Sequence, residues 1–261
     1  MNFRPFTCFL PHLAILLLVS FFFAAPAAVL RAQDHVMPDG TVMHGDMSMP
    51  MDHSAEMTPA QRAKLLADKK ESEGNHHIAG AFVILAALFM LAEPSLRRRW
   101  PGVRFAWPLC FFITGIFLLV YSDTELWPFG PQSWWYGFTH NSEIIQHKTF
   151  AVILLALGLL EIQRARGVVK AAWTGFVFPV LAIAGSILLL FHEHHSGMHG
   201  ADHMSVMHHI QSEHLNFAAT GVFIGLFAGL SEFPTRLKII FTKLFPTMMI
   251  VLGILLLLYT E

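Results

Sequence analysis

Histidine, methionine and carboxylate crowd into two stretches of this 261-residue chain, and that mixture of donors binds transition metals. The stretch Phe191–His214 (FHEHHSGMHGADHMSVMHHIQSEH) holds eight of the sixteen histidines, with Glu193, Asp202 and Glu213 among them. His192, His194, His195, Met198, His199, His203, Met204, Met207, His208 and His209 all fall inside it. The second stretch, Asp34–Met57, has six methionines, three histidines and four aspartates. There Met47, Met49, Met51 and His53 alternate along the chain, so a loop can wrap them around one ion. Thioether sulfur selects Cu(I), and imidazole accepts either copper oxidation state. Imidazole binds metal only when neutral, so occupancy should fall below a pKa near 6.5.

The rest of the chain has to place these donors. It is 54% hydrophobic and 13% charged, against roughly 25% charged in soluble domains. A net charge of −1 gives no reason to expect nucleic acid as a partner. With Cys8 in the leader and Cys110 in an apolar run, there is no disulfide framework or thiolate cluster. Residues 1–32 read as a secretory signal, with an uncleaved anchor as the alternative. Residues 33–74 read as a Met/His-rich segment, unstructured at first. A short helix should then begin at Thr58 and Pro59, with Gln61 closing a capping box. Residues 75–261 form the membrane domain, whose part 192–213 reads as a His/Met-rich loop.

Six apolar segments, near 78–92, 105–121, 144–160, 171–191, 215–230 and 239–259, approach the roughly 20 residues that span a bilayer. An all-α integral membrane protein of six transmembrane helices is expected. Arginine and lysine cluster after the first, third and fifth segments. The positive-inside rule then puts both mature termini outside. All fifteen histidines beyond the leader fall on that outer side.

The helices read as three tandem hairpins with a period of about 70 residues. Odd helices open with His77-x-x-Gly-Ala, His147-x-x-Phe-Ala and His214-x-x-Phe-Ala, and close at Glu93, Glu161 and Glu232. Even helices begin with Trp107-Pro108, Phe178-Pro179 and Phe245-Pro246, and end at Asp123, Glu193 and Glu261. Within one odd helix the His and Glu lie roughly 21–27 Å apart, at opposite faces. The glutamates read as structural, paired one turn on with Arg97, Arg164 and Arg236. The outer His77, His147 and His214, with Asp123, Glu193 and Glu261, read as a shared metal site. Glu73 and Glu143 precede two of these histidines by one turn and can hold the imidazole N–H. The aromatic loop 123–143 reads as an interfacial belt, with a lid over the metal site as the alternative.

The leader, the Met51-Asp52-His53-Ser54 segment and the outward His-bearing helices resemble bacterial inner-membrane copper-resistance proteins, the copper-resistance protein D family above all. That resemblance implies periplasmic copper handling, with a copper carrier as partner and uptake or tolerance as the role. Six helices are fewer than that family usually has. The expected function is non-enzymatic copper handling, by capture, tolerance or transfer, with transport left open; hydrolytic chemistry lacks a paired nucleophile and base and an HExxH helix. The alternative is a haem b protein with two axial histidines; zinc or nickel handling is a further one.

Overall fold

The computed structural model describes residues 35–36, 42–43, 58–191 and 201–260, with the backbone alone for 35–36, 42–43, 61 and 201–208. In the segment expected to lack fixed structure, it describes a two-residue antiparallel pairing, β1 (His35–Val36) with β2 (Val42–Met43). Everything else described is helix and connection. The helices are α1 (Pro59–Leu96), α2 (Ala106–Tyr121), α3 (Trp134–His140), α4 (Ser142–Ala165), α5 (Val177–Leu189), α6 (Ala201–Glu232) and α7 (Lys238–Leu257). Six of them, all but α3, belong to segments long and apolar enough to cross a membrane. Leu88, Ile113, Val180, Phe223 and Ile254 are among the large apolar side chains exposed on their outer surfaces, as lipid contact requires.

Two helices run further than the sequence pattern indicates. The expected short helix after Thr58 does not stop at Gly74. It continues into the first span as one helix of 38 residues, roughly 57 Å long, nearly twice the roughly 30 Å thickness of a bilayer's hydrocarbon core. Beyond its own stretch of helix, no described atom would lie within 4 Å of a Cβ on Gly74, and a single glycine costs an exposed helix only about 1 kcal/mol. Likewise α6 begins at Ala201, so the second half of the expected 192–213 loop is helical.

The caps follow the local chemistry. Asn141 starts α4 by accepting from the N–H groups of Glu143 and Ile144. Gly167, at φ 73°, ends it in the left-handed conformation that glycine adopts freely. Short 3₁₀ turns, Pro101–Phe105 and Ala172–Phe176, lead into α2 and α5, so the Trp-Pro and Phe-Pro steps lie in the first turn there. In α7 the step does not mark the start: Pro246 lies inside the helix. Membrane helices tolerate this because neighbours re-satisfy the freed carbonyl.

The spans close into a ring in the order α1, α2, α4, α5, α6, α7 and back to α1, the α4/α5 seam being the lightest. Small residues permit the closest approaches. A Cβ on Gly80 of α1 would stand 2.7 Å from the Gly253 carbonyl oxygen of α7, and one on Gly253 would stand 2.8 Å from that of Gly80. The first and last spans are thus joined backbone to backbone. Inside the ring, Ala87, Phe111, Ile153, Phe178, Ile224 and Met249 belong to one apolar core.

Candidate metal centre at the histidine end of the ring

All six spans line a central cavity of about 280 Å³. Its deep walls are apolar, with Phe82, Phe111, Phe150, Phe178 and Phe217 among them. The hydroxyls that reach it turn back on their own helices, Thr114 to the Cys110 carbonyl at 2.8 Å and Ser186 to that of Ala182 at 2.7 Å. Its polar end is formed by Asn75, His76, His147 and His214. Cys110 and Met249 supply sulfur further along the wall.

His147 and His214 therefore meet one cavity. The third histidine at that cavity is His76. The expected one, His77, donates from Nε2 to the Tyr259 carbonyl at 3.1 Å and is absent from the lining. Consecutive helical residues point roughly 100° apart, so a shift of one residue decides which histidine faces the axis.

The hydrogen bonds of the three cavity histidines fix their tautomers. His76 Nδ1 lies 2.8 Å from the Ser72 carbonyl, and His214 Nδ1 lies 2.8 Å from that of Ile210. His147 Nδ1 lies 2.9 Å from Asp123 Oδ1. A carbonyl or carboxylate oxygen only accepts, so the proton is on Nδ1 in each ring. In the neutral imidazole the lone pair is then on Nε2, the form that binds a metal. The His76 and His214 rings stand edge to face with centroids 5.9 Å apart. Tyr259 stacks on His76 at 4.0 Å, and Phe217 lies 5.6 Å from His214.

Asp123 does more than the sequence shows. It is buried, and Lys148 donates to its Oδ2 at 2.7 Å while Ser122 donates to the same oxygen at 2.5 Å. Lys148 also reaches the Leu118 carbonyl at 3.2 Å and lies under the Trp134 ring at 5.4 Å. Burial pushes the Asp123 carboxyl up, but the hydrogen bonds it accepts from His147, Lys148 and Ser122 outweigh it and hold it below the usual carboxylate range. Nearby Glu125 moves the other way, raised by burial and by the Asp123 charge. Glu71, on the projecting part of α1, accepts from the Thr124 N–H at 2.9 Å and its hydroxyl at 2.7 Å, tying down the start of the aromatic loop. In that loop Trp127 and Trp135 are exposed, as a belt at the membrane boundary requires.

Of the other expected residues, Glu73 pairs with Lys69 at 3.7 Å, and Glu143 lies in the first turn of α4. His209 pairs with Glu213 at 3.5 Å. Met47, Met49, Met51, His53, His192, Glu193, His194, His195, Met198, His199 and Glu261 lie outside the described residues, as do the side chains of His203, Met204, Met207 and His208. Among the described residues, no three of His, Cys, Asp and Glu are gathered so as to hold an ion unaided. At the opposite face Glu93 meets Arg97 at 3.7 Å and Glu161 meets Arg164 at 2.7 Å, as expected. Glu232 does not take Arg236: α6 ends at Glu232 and Pro234 follows, so the expected turn is missing. Arg164 bridges across to it at 3.3 Å.

Sequence reasoning missed His76, Lys148, Ser122 and Tyr259. For Lys148 a signal existed, since it is the single cation on the histidine side of the later spans. Comparison with family models, curated proteins and solved structures gives no match to this chain.

Proposed function

We propose that the protein binds copper at the histidine end of the ring and handles it there for capture, tolerance or transfer. The observation that carries this reading is the shared tautomer of His76, His147 and His214 at one cavity. Nδ1 bonds to a carbonyl or carboxylate orient metal-binding imidazoles and raise their basicity. His76 and His214 form the core pair, and Asp123 and Lys148 hold His147 in place. The Met/His-rich segments 34–57 and 192–200 supply further imidazole and thioether donors, the soft ligands that favour Cu(I).

In this reading the arginine face is cytoplasmic and the histidine face periplasmic, in a bacterial inner membrane. On the reading of three tandem hairpins, α1, α4 and α6 each contribute one histidine to the cavity. Capture is better supported than passage, because the cavity walls below the histidines are apolar.

Haem b is the second reading, since two histidines with perpendicular rings are also an axial pair. Phe217 and Tyr259 lie within 6.2 Å of both imidazoles and fill the space a porphyrin needs, which favours an ion. Metal analysis and an absorption spectrum of the purified protein separate the two. Bound copper in a colourless or weakly coloured preparation supports the first reading. A Soret band would replace it with the second, and neither signal would reject both.

A further inference from the structure

At the arginine face a second, polar pocket of about 500 Å³ lies between the ends of α1, α2, α4 and α6 and the 165–176 connection. Four cations line it, Arg97, Arg104, Arg164 and Lys170, against three carboxylates, Glu93, Glu161 and Glu232. The carboxylates are matched. Arg164 holds Glu161 at 2.7 Å and Glu232 at 3.3 Å, and Arg97 lies 3.7 Å from Glu93. Arg104 and Lys170 make no ion pair among the described residues.

Arg104 is the telling residue. Its Nε is buried and has no hydrogen-bond partner, although its guanidinium packs over the Phe105 ring at 4.8 Å. A buried guanidinium N–H that meets no acceptor among the described residues is costly to leave so, and a bound acceptor removes that cost. The planar donor fork of arginine matches the oxygens of a phosphate. Trp100 and Trp173 are exposed at the same end of the ring, where tryptophan marks the headgroup level of a bilayer. Basic pockets between spans at that level suit anionic headgroups.

We propose that this pocket binds a phosphate group through Arg104 and Lys170, with the Arg164–Glu161–Glu232 bridge forming its fixed wall. The group comes either from an anionic phospholipid headgroup or from free phosphate. The site is independent of copper at the other face.

The test uses the full-length protein, stripped of lipid in detergent. One arm offers mixed vesicles of phosphatidylglycerol and phosphatidylcholine and reads retained lipid by native mass spectrometry. The other titrates inorganic phosphate by calorimetry. Retention of phosphatidylglycerol, lowered roughly tenfold in Arg104→Gln or Lys170→Gln, assigns the lipid source. Phosphate binding lowered in the same way assigns the free ion. Arg104→Lys keeps the charge but loses the Nε–H and should also bind more weakly. If Arg104→Gln fails to fold, the exposed Lys170→Gln carries the comparison. Absence of both ligands on the wild type, or binding equal in wild type and variants, overturns the proposal.

Discussion

His76 and His214, 138 positions apart in the sequence, stand edge to face at 5.9 Å, each with Nδ1 bonded to the carbonyl four residues before it. Both use the same local device. Each ring folds back along its own helix, takes the i−4 carbonyl and turns its Nε2 lone pair away from that bond. The α1/α7 and α6/α7 packing then brings the two rings together, with Tyr259 against both.

The adjacent histidines of α1 should therefore separate functionally. His76→Ala should lower copper affinity at least as much as losing a ligand-orienting group does, about 10–100-fold. His77→Ala should leave affinity near wild type and act on stability, since it loses only the Tyr259 carbonyl bond. Competition titration with a Cu(I) chelator reads both. Equal effects of the two variants would remove the distinction.

Asp123→Asn tests the His147–Asp123–Lys148 unit. It leaves Lys148 buried without its carboxylate, and breaking a buried pair costs roughly 3–5 kcal/mol. The Leu118 carbonyl and Ser122 hydroxyl place the loss towards the lower end. Asp123→Asn with Lys148→Met should recover most of that stability but not copper affinity. Unfolding in detergent with parallel metal titration checks this; a double variant no more stable than the single one would contradict it.

The two loop carboxylates should respond oppositely to pH. Asp123 has a lowered pKa in the folded protein, so its stabilisation is present above the unfolded value, about 3.9, and is lost as pH falls through the folded value. Glu125 has a raised pKa, so its contribution is full below the unfolded value, about 4.3, and is lost as pH rises through the folded value. Glu125→Gln should thus stabilise at neutral pH and lose that advantage in acid. Denaturant midpoints of wild type and variant across pH 3–7 would show it, and a constant difference would not fit.

Ring closure can be tested at Gly80. An alanine there places its Cβ against the Gly253 oxygen and the Leu256 side chain, at 2.7 and 2.9 Å, and should destabilise by about 1–3 kcal/mol. Gly74→Ala, with open space around it, should be neutral or stabilise by up to about 1 kcal/mol. Thermal midpoints in one detergent compare the two, and equal midpoints would contradict close α1/α7 packing.

Spans, breaks and the histidine end could be read from sequence because bilayer length and apolar runs constrain them strongly. The facing of a given histidine could not. His77 matches His147 and His214 in the repeated His-x-x-x-Ala register, yet the packing of α1 against α7 turns His76 to the axis. Helix ends outside the bilayer were equally hidden, since the extra turns of α1 and α6 bear polar residues without a clear period. The pairing of Lys148 with Asp123 was hidden too, because it joins α4 to the residues just after α2, 25 positions earlier, through the packing of those two neighbouring helices.

The most direct measurement is X-ray absorption at the copper edge on protein loaded with one equivalent of Cu(I), wild type beside His76→Ala/His147→Ala/His214→Ala. The account predicts imidazole scattering with copper–nitrogen distances near the 2.0 Å typical of metal–imidazole bonds, lost in the triple variant. Copper bound equally well by that variant, or by sulfur ligands alone in the wild type, would contradict it.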